Sequence, residues 1–271
     1  MTQTFQYEAP QSRAELLALL AEHGEGAKVL AGGTDLLVNI RYGFTRPRVV
    51  VNVKKVAGFL GSTFSKTDGL LIRPAVTVND LLRDPRVREL YPLLAACAHD
   101  LASYQIRNRA TVVGNVVNAS PCSDMAPALL CLGARALVAS ERGERVVPFQ
   151  EFFRGVKSTV LRADEVVEGI LVPAASAGAR GGYRKLKRIQ GHDLGIVGVA
   201  LMKKDGLLRL GISSCAPTPL LVDGLKETDP PEVVVAAARR AIRPISDLRC
   251  SREYREHMVE VFVRRLLQEV P

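Results

Sequence analysis

Two polar segments that contain glycine hold the residues best suited to bind a ligand. The first, residues 28–36, leads from an apolar stretch into Gly32, Gly33, Thr34 and Asp35. Glycine has no Cβ, so its backbone N–H groups can approach an anion closely and its φ can be positive. Thr34 adds a hydroxyl. Asp35 adds a carboxylate that either accepts a hydrogen bond from a ribose hydroxyl or fixes the turn. The alternative is an ordinary strand-to-helix turn, where paired glycines are common.

The second polar segment, residues 110–124, alternates apolar residues with side-chain hydroxyls and amides. Thr111, Asn115 and Asn118 supply such groups, and the segment ends at Asp124, just before a helical pattern. Hydroxyls and amides of this kind are typical of a surface that holds a phosphate or a ribityl chain. A turn-rich connection is the alternative. Two such segments in one chain favour convergence on a shared ligand.

Other constellations with chemical potential are weak. Five cysteines and four histidines show no Cys-x-x-Cys, no Cys–His cluster and no helical ligand spacing, so neither a disulfide framework nor a metal site is expected. Cys122 lies inside the second segment without a charged neighbour in the sequence, and we expect it to pack as a small apolar residue. No catalytic residue is predicted.

Composition limits the class of protein. The 271 residues carry a net charge of +9, with a basic run over residues 180–188 that suits a phosphate, a partner surface or solvent. Aromatic residues make up 5% and do not alternate with basic ones, so no nucleic-acid partner is expected. No apolar run approaches the roughly 20 residues of a membrane helix, and no signal peptide is evident. These features predict a cytoplasmic protein without a membrane partner.

The elements that must position the two segments follow from periodicity and caps. Ser12 and Glu15 predict the start of a helix over 13–23, and Asn79 or Asp80 is expected near the cap of a helix over 78–82. The first fifty residues indicate a small parallel α/β unit. Helices are also predicted over 93–101, 126–132, 231–242 and 252–268, strands over 28–31, 49–53, 69–74 and 170–173, hairpins over 136–148 and 196–214, and a linker over 174–182.

Several motifs in this order resemble one protein family. They are Ala31-Gly32-Gly33-Thr34-Asp35-Leu36-Leu37, Gln105-Ile106-Arg107-Asn108-Arg109-Ala110-Thr111, Gly114-Asn115, residues 121–127, Phe152-Phe153-Arg154-Gly155, Asp164-Glu165-Val166-Val167, Pro173, Tyr183-Arg184-Lys185-Leu186 and Asp193. The family is the FAD-binding medium subunit of the molybdenum hydroxylases, which include carbon monoxide dehydrogenase and xanthine dehydrogenase. The match extends over nearly the whole chain.

The resemblance implies an α+β fold in two parts. Residues 1–174 would form a FAD-binding domain of the vanillyl-alcohol-oxidase (PCMH) type, with the α/β unit at its N-terminus. Residues 175–271 would form the family's C-terminal α+β domain, with a small antiparallel sheet and helices. No Gly-x-Gly-x-x-Gly follows a predicted strand, in agreement with a fold that is not of the Rossmann type.

The resemblance also implies the cofactor and its site. FAD would be held by Lys28, Val29, Leu30, Ala31, Gly32, Gly33, Thr34, Asp35, Leu36, Ala110, Thr111, Gly114, Asn115, Val117, Asn118, Ser123 and Asp124. Leu101, Val167 and Lys185 occupy positions of additional flavin contacts in the family, with Arg184 as the alternative to Lys185.

The function implied is that of an oxidoreductase subunit. FAD would receive electrons from the [2Fe–2S] clusters of a small subunit, after oxidation of substrate in a molybdopterin-binding large subunit, and would pass them to NAD or another acceptor. Two alternatives remain: a self-contained flavin reductase of the same fold, for example one acting on a UDP-sugar, and a basic nucleic-acid or scaffold protein that has lost its cofactor.

Two departures from the family pattern carry expectations. Relatives commonly have two glycines before Asn115, whereas this chain has Val113 at the first position. Because a β-branched residue is strained at positive φ, we expect Val113 in extended geometry with its side chain turned away from the flavin. The chain also lacks the inserted cysteine-bearing loop of the 4-hydroxybenzoyl-CoA reductase branch, which disfavours that branch.

Overall fold

Three sheets and eleven helices organise the chain in the computed structural model, which describes residues 4–189 and 191–271. The strands of these sheets and of one small ribbon are β1 Gln6–Glu8, β2 Ala27–Leu30, β3 Val49–Asn52, β4 Ser62–Ser65, β5 Gly69–Ile72, β6 Arg135–Ser140, β7 Gly143–Pro148, β8 Phe153–Gly155, β9 Ser158–Thr159, β10 Val166–Pro173, β11 Arg180–Leu186, β12 Val197–Lys204, β13 Leu207–Ser213 and β14 Leu220–Lys226. The helices are α1 Arg13–His23, α2 Leu36–Arg41, α3 Val78–Arg83, α4 Pro85–Leu90, α5 Pro92–Asp100, α6 Tyr104–Arg107, α7 Val112–Val117, α8 Met125–Cys131, α9 Phe149–Phe152, α10 Pro231–Ala241 and α11 Arg252–Glu269.

The N-terminal sheet confirms the predicted parallel α/β unit. Its strand order is β1-β3-β2, and both pairings are parallel. Helix α1 begins where predicted, because the Ser12 side chain accepts a hydrogen bond from the backbone N–H of Glu15 at 3.2 Å. Leu16 and Leu20 on α1 are fully buried with the strand valines, and this burial fixes the helix on the sheet.

A five-stranded antiparallel sheet, in the order β4-β5-β10-β6-β7, follows in the chain. The β6–β7 hairpin turns at Gly143, which has a positive φ of 129°. Helices α3, α5, α7 and α8 bury their apolar residues together with this sheet in the largest core of the molecule. The second polar segment therefore belongs to a well-packed body.

The last sheet contains β11-β12-β13-β14, all antiparallel, and is covered on both faces. Helices α10 and α11 pack with it to form a second core, whereas α5 and α8 pack against β11, β12 and β13 from the N-terminal side. The close approach is visible at Gly211, where an added Cβ would overlap the Pro127 carbonyl oxygen. The division of the chain at residues 174 and 175 stays a prediction, and the N-terminal core extends beyond it to Ala179, Ala200 and Met202.

One of two local expectations was wrong. The predicted linker over 174–182 contains a 3₁₀ turn at Ala174–Ser176, but its last three residues belong to β11, which pairs with β12. Asp80 lies near the cap of α3 as expected: the cap itself is Thr77, and Asp80 is its reciprocal partner in a capping box. The described helices include none that is long and apolar enough to cross a membrane.

Candidate functional site

The first polar segment forms a tight turn between β2 and α2. Gly33 has a φ of 76°, a conformation that favours glycine, and its carbonyl oxygen accepts the first hydrogen bond of α2 from Leu37 N at 3.1 Å. Asp35 is exposed and makes no side-chain cap, while Thr34 is half-buried. Lys28, Val29 and Leu30 lie on β2, and Leu30 is buried. The turn thus presents polar groups beside a short strand.

The structure brings the two polar segments into direct contact. A Cβ added to Gly32 would overlap the backbone carbonyl oxygen of Arg109 and would approach Ala110 Cα to 2.9 Å. Such distances are well inside van der Waals contact, so the backbones touch only because residue 32 is glycine. The expected convergence of the two segments is therefore a feature of the fold.

The second polar segment is built around helix α7. Thr111 caps the helix by accepting a hydrogen bond from Gly114 N at 3.0 Å. Asn115 accepts a hydrogen bond from the Ser123 hydroxyl at 2.6 Å, and the Ser123 oxygen accepts one from Ala126 N, in the first turn of α8, at 3.2 Å. These bonds hold both ends of the segment, residues 111 and 123, in one polar cluster.

The expectation of extended geometry for Val113 was wrong. Val113 lies inside α7 and not in extended geometry, and its side chain is buried in the main core. A helical backbone has negative φ, so the β-branched side chain is free of the strain that a positive φ would impose. Val113 therefore contributes to the core packing.

The end of α7 is covered by a hairpin that the sequence does not indicate. Asn118 accepts a hydrogen bond from Lys157 Nζ at 2.9 Å, and the Ala119 carbonyl accepts from Lys157 N at 2.9 Å. Lys157 lies in the turn between β8 and β9, far from Asn118 in sequence. It is a polar neighbour of the predicted site that only the folded chain reveals.

A buried ion pair joins the second polar segment to the last sheet. Lys185 Nζ lies 2.8 Å from Asp124 Oδ1, the side chain of Lys185 is 1% exposed, and the Tyr183 hydroxyl donates to the same oxygen at 3.1 Å. Burial raises the pKa of Asp124, while the charge of Lys185 opposes this effect. Arg184 points to the other face of the sheet and pairs with Glu269. Of the two alternatives, Lys185 is the one that the fold joins to the predicted site.

The remaining predicted residues contribute mainly to packing. Val167 on β10 and Leu101 after α5 are both buried in the main core. Leu101 follows Asp100, whose carbonyl oxygen accepts a hydrogen bond from Lys185 at 3.3 Å. Val117 is half-buried on α7. Neither Leu101 nor Val167 contributes a polar side chain to the two segments.

Two basic residues beside the glycine turn were missed by the sequence analysis. Lys54 follows β3 in a 3₁₀ turn, and its Nζ donates to the Ala31 carbonyl oxygen at 2.7 Å. Burial lowers the pKa of Lys54, and the positive charge of Arg109 lowers it further. Nothing in the local sequence indicates this contact, because Ala31 follows β2, Lys54 follows β3, and the two residues are 23 positions apart.

Cys122 has a charged neighbour, contrary to expectation. Arg249 Nη1 lies 3.3 Å from Cys122 Sγ, and the same guanidinium pairs with Asp247 at 2.7 Å. All five cysteines are free thiols. Within residues 4–189 and 191–271, no group of three or more His, Cys, Asp and Glu side chains is arranged to hold a metal ion.

Comparisons with known proteins identify the family. Residues 3–175 match the family described as the FAD binding domain in molybdopterin dehydrogenase. The carbon monoxide dehydrogenase medium chain of Hydrogenophaga pseudoflava is 34% identical, with 97% of this chain and 96% of the relative covered. The xanthine dehydrogenase FAD-binding subunit of Escherichia coli O157:H7 is 29% identical over 97% of this chain and 94% of its own.

Solved structures extend the match to the whole fold. A chain of the carbon monoxide dehydrogenase from Hydrogenophaga pseudoflava superimposes with a TM-score of 0.91 and 31% identity, covering 100% of this chain and 98% of the other. The α+β fold class is therefore confirmed, as is FAD as the cofactor of the family. The chain belongs to the FAD-binding medium subunits of the molybdenum hydroxylases and is an oxidoreductase component.

Proposed function

We propose that this chain is the electron-transferring flavoprotein subunit of a molybdenum hydroxylase complex and has no substrate chemistry of its own. The observation that carries the proposal is the contact of Gly32 with the Arg109–Ala110 backbone, which makes one polar surface from two distant segments. FAD fits this surface. Gly32 has no room for a side chain there, and the surrounding donors are backbone amides, hydroxyls and amide side chains of the kind that bind phosphate and ribityl groups.

The proposed cofactor residues come from both segments and from their buried neighbours. They are Lys28, Val29, Leu30, Ala31, Gly32, Gly33, Thr34, Asp35, Leu36, Leu101, Ala110, Thr111, Gly114, Asn115, Val117, Asn118, Ser123, Asp124, Val167 and Lys185. The backbones of Gly32 and Gly33 would face the phosphates, and the side chains of Thr111 and Asn115 would orient the chain of the cofactor through positions that their own hydrogen bonds fix.

Bound FAD supplies the ability to take electrons one at a time and to release them as a pair. The protein supplies binding, orientation and exclusion of water. Lys185 and Asp124 would help to exclude water, because their ion pair is buried and joins the second polar segment to the last sheet. The names of the relatives, medium chain and FAD-binding subunit, support a role inside a larger assembly.

The partners proposed for this chain are a molybdopterin-binding large subunit and a small subunit with [2Fe–2S] clusters. Electrons would enter FAD from the small subunit and leave to NAD or another acceptor. The domain division at residue 175, and a cytoplasmic location, stay predictions.

Reconstitution with the partner subunit tests the proposal. The purified chain with added FAD is expected to show the visible absorbance of a bound flavin, and this absorbance is expected to bleach under reducing conditions when the reduced iron–sulfur subunit is present. The same mixture without that subunit is the control and should bleach more slowly.

Two outcomes would contradict the proposal. A chain that binds no flavin after addition of FAD would remove its basis and would favour the scaffold alternative. Reduction of a small substrate such as a UDP-sugar by the isolated, flavin-loaded chain would instead favour a self-contained reductase.

A further inference from the structure

Two cations lie beside the glycine turn in an arrangement that lacks a negative partner. Lys54 Nζ is half-buried and donates to the Ala31 carbonyl oxygen, one residue before Gly32. Arg109 directly precedes the second polar segment, and its own carbonyl oxygen is the atom against which Gly32 packs. In the part of the chain that the structure describes, neither side chain has a carboxylate within 4.0 Å.

This arrangement is costly for the protein alone. Burying an ammonium group without an opposite charge disfavours its charged form, and a second cation nearby adds to the effect. Both consequences are visible in the pKa of Lys54, which burial and Arg109 each lower. A dianion at this position would offset both the burial of the Lys54 ammonium and its repulsion from Arg109. It would supply the opposite charge and hydrogen-bond acceptors for the ammonium and guanidinium groups.

Two other basic residues of these parts of the chain, Arg107 and Lys55, differ from Lys54 and Arg109 in their contacts or exposure. Arg107 donates to the carbonyl oxygens of Leu101 and His99 at 2.8 and 2.9 Å, and therefore holds the end of α5. Lys55 follows Lys54 in the same 3₁₀ turn but is exposed. Lys54 is thus distinguished from Lys55 by its partial burial, and Arg109 is distinguished from Arg107 by its position beside Lys54.

We propose that Lys54, which follows β3, and Arg109, which directly precedes the second polar segment, form a cationic clamp for the two phosphates of FAD. The proposal rests on FAD binding and deepens it, because it assigns the charge that neutralises the pyrophosphate to side chains outside the glycine turn. Lys54 is the stronger member, since it is half-buried and already fixed on the Ala31 carbonyl. Arg109 is exposed, so its contribution is screened by water and salt.

The test compares FAD affinity in neutral variants of the full-length chain. Lys54→Met is expected to weaken FAD binding by about tenfold to hundredfold, the range of a charge-assisted hydrogen bond, and Arg109→Gln by no more than about fivefold. Lys55→Met is the matched control, because it removes the same charge from the adjacent exposed position. Lys54→Arg is expected to retain most of the affinity.

A second measurement separates binding from folding. Because Lys54 is a half-buried charge without a carboxylate partner, we expect the FAD-free Lys54→Met protein to be at least as thermally stable as the wild type. A residue that merely supported the turn would give the opposite result, with loss of stability in the absence of FAD. The salt dependence of FAD affinity is also expected to be weaker in the Lys54→Met and Arg109→Gln double variant.

Competition identifies the part of the ligand that is recognised. Inorganic pyrophosphate and ADP are each expected to compete with FAD in the wild type and to compete less well in Lys54→Met. If Lys54→Met and Lys55→Met both bind FAD with wild-type affinity and salt dependence, the clamp is refuted while FAD binding stands. If the wild type binds no FAD, the proposed function itself fails, so the two failures are distinguishable.

Discussion

At the scale of single residues, the contact between the two polar segments depends on the absence of one methyl group. Gly32 lies so close to the Arg109 carbonyl that any Cβ would have to displace backbone, which unlike a flexible side chain has no alternative rotamer. By contrast, Gly33 is required for its positive φ, and an added Cβ there would meet only leucine side chains. Neighbouring glycines in one turn thus serve different purposes.

We expect Gly32→Ala to separate the two segments and to reduce FAD affinity by at least about tenfold, with a loss of stability of about 1–3 kcal/mol from the forced backbone shift. FAD titration and thermal unfolding of the same preparation measure the two effects. Gly155→Ala is the control, because an added Cβ there meets no atom within 4 Å. Equal affinities of the two variants would show that the contact is irrelevant to the cofactor.

The sequence allowed the residues with local signals to be predicted, and it failed where the partner is distant. The glycine turn and the hydroxyl-rich segment were found from residue types alone. Lys54, Lys157 and Tyr183 were not, because their contacts with the predicted site join residues 23, 39 and 59 positions apart. No periodicity or spacing in the sequence records such pairs.

At the scale of elements, the site depends on how helix α7 begins. Thr111 is buried, accepts from Gly114 N, and also forms an isolated bridge with Thr77 at the start of α3. The two helix starts are therefore held side by side, and each has a threonine as its cap. A change at Thr111 acts on the end of the helix that faces the glycine turn.

We expect Thr111→Ala to lower the free energy of unfolding by about 1–2 kcal/mol, since it removes the cap and leaves Gly114 N without its acceptor. FAD affinity should fall as well, because the α7 start becomes less ordered. Thr111→Ser retains the hydroxyl and is the control. Denaturant unfolding measures the stability change, and a Ser variant as unstable as the Ala variant would argue that the methyl group matters and the cap does not.

Elements with strong local patterns were predicted nearly to the residue. Helix α1 has the predicted bounds, and the β6–β7 hairpin turns at the predicted glycine, because caps and turns are encoded by neighbouring residues. Helix α7 was not predicted because Val112–Val117 contains four valines and a glycine, which have poor helix propensity. Its cap and its burial in the main core outweigh that propensity.

At the scale of the whole molecule, the ion pair of Asp124 and Lys185 joins the body that carries the polar segments to the last sheet. Both side chains are buried, so removal of either one leaves an uncompensated group inside the protein. Burial is the larger influence on Asp124 and raises its pKa. The pair therefore links the stability of the N-terminal body to that of the sheet packed on it.

We expect Asp124→Asn and Lys185→Met each to cost about 3–5 kcal/mol, and the double variant to cost less than the sum of the two. Denaturant unfolding of the FAD-free protein gives the coupling free energy. When the pKa of a carboxyl group is higher in the folded than in the unfolded protein, the free energy of unfolding falls as the pH rises. The loss of stability caused by Lys185→Met should therefore shrink as the pH is lowered toward 3.8, the ordinary pKa of aspartate. Additive single effects, independent of pH, would contradict this account.

The position of Lys185 on β11 links the predicted cofactor site to helix α11. The strand that carries it, β11, is held by β12 and by the final helix α11, with Arg184 bonded to Glu269 and Lys203 to the carbonyl of Val270. Because α11 packs on β11, its removal is expected to disturb the buried pair of Lys185 and Asp124, and a variant that lacks residues 252–269 should give a colourless product even when free FAD is abundant.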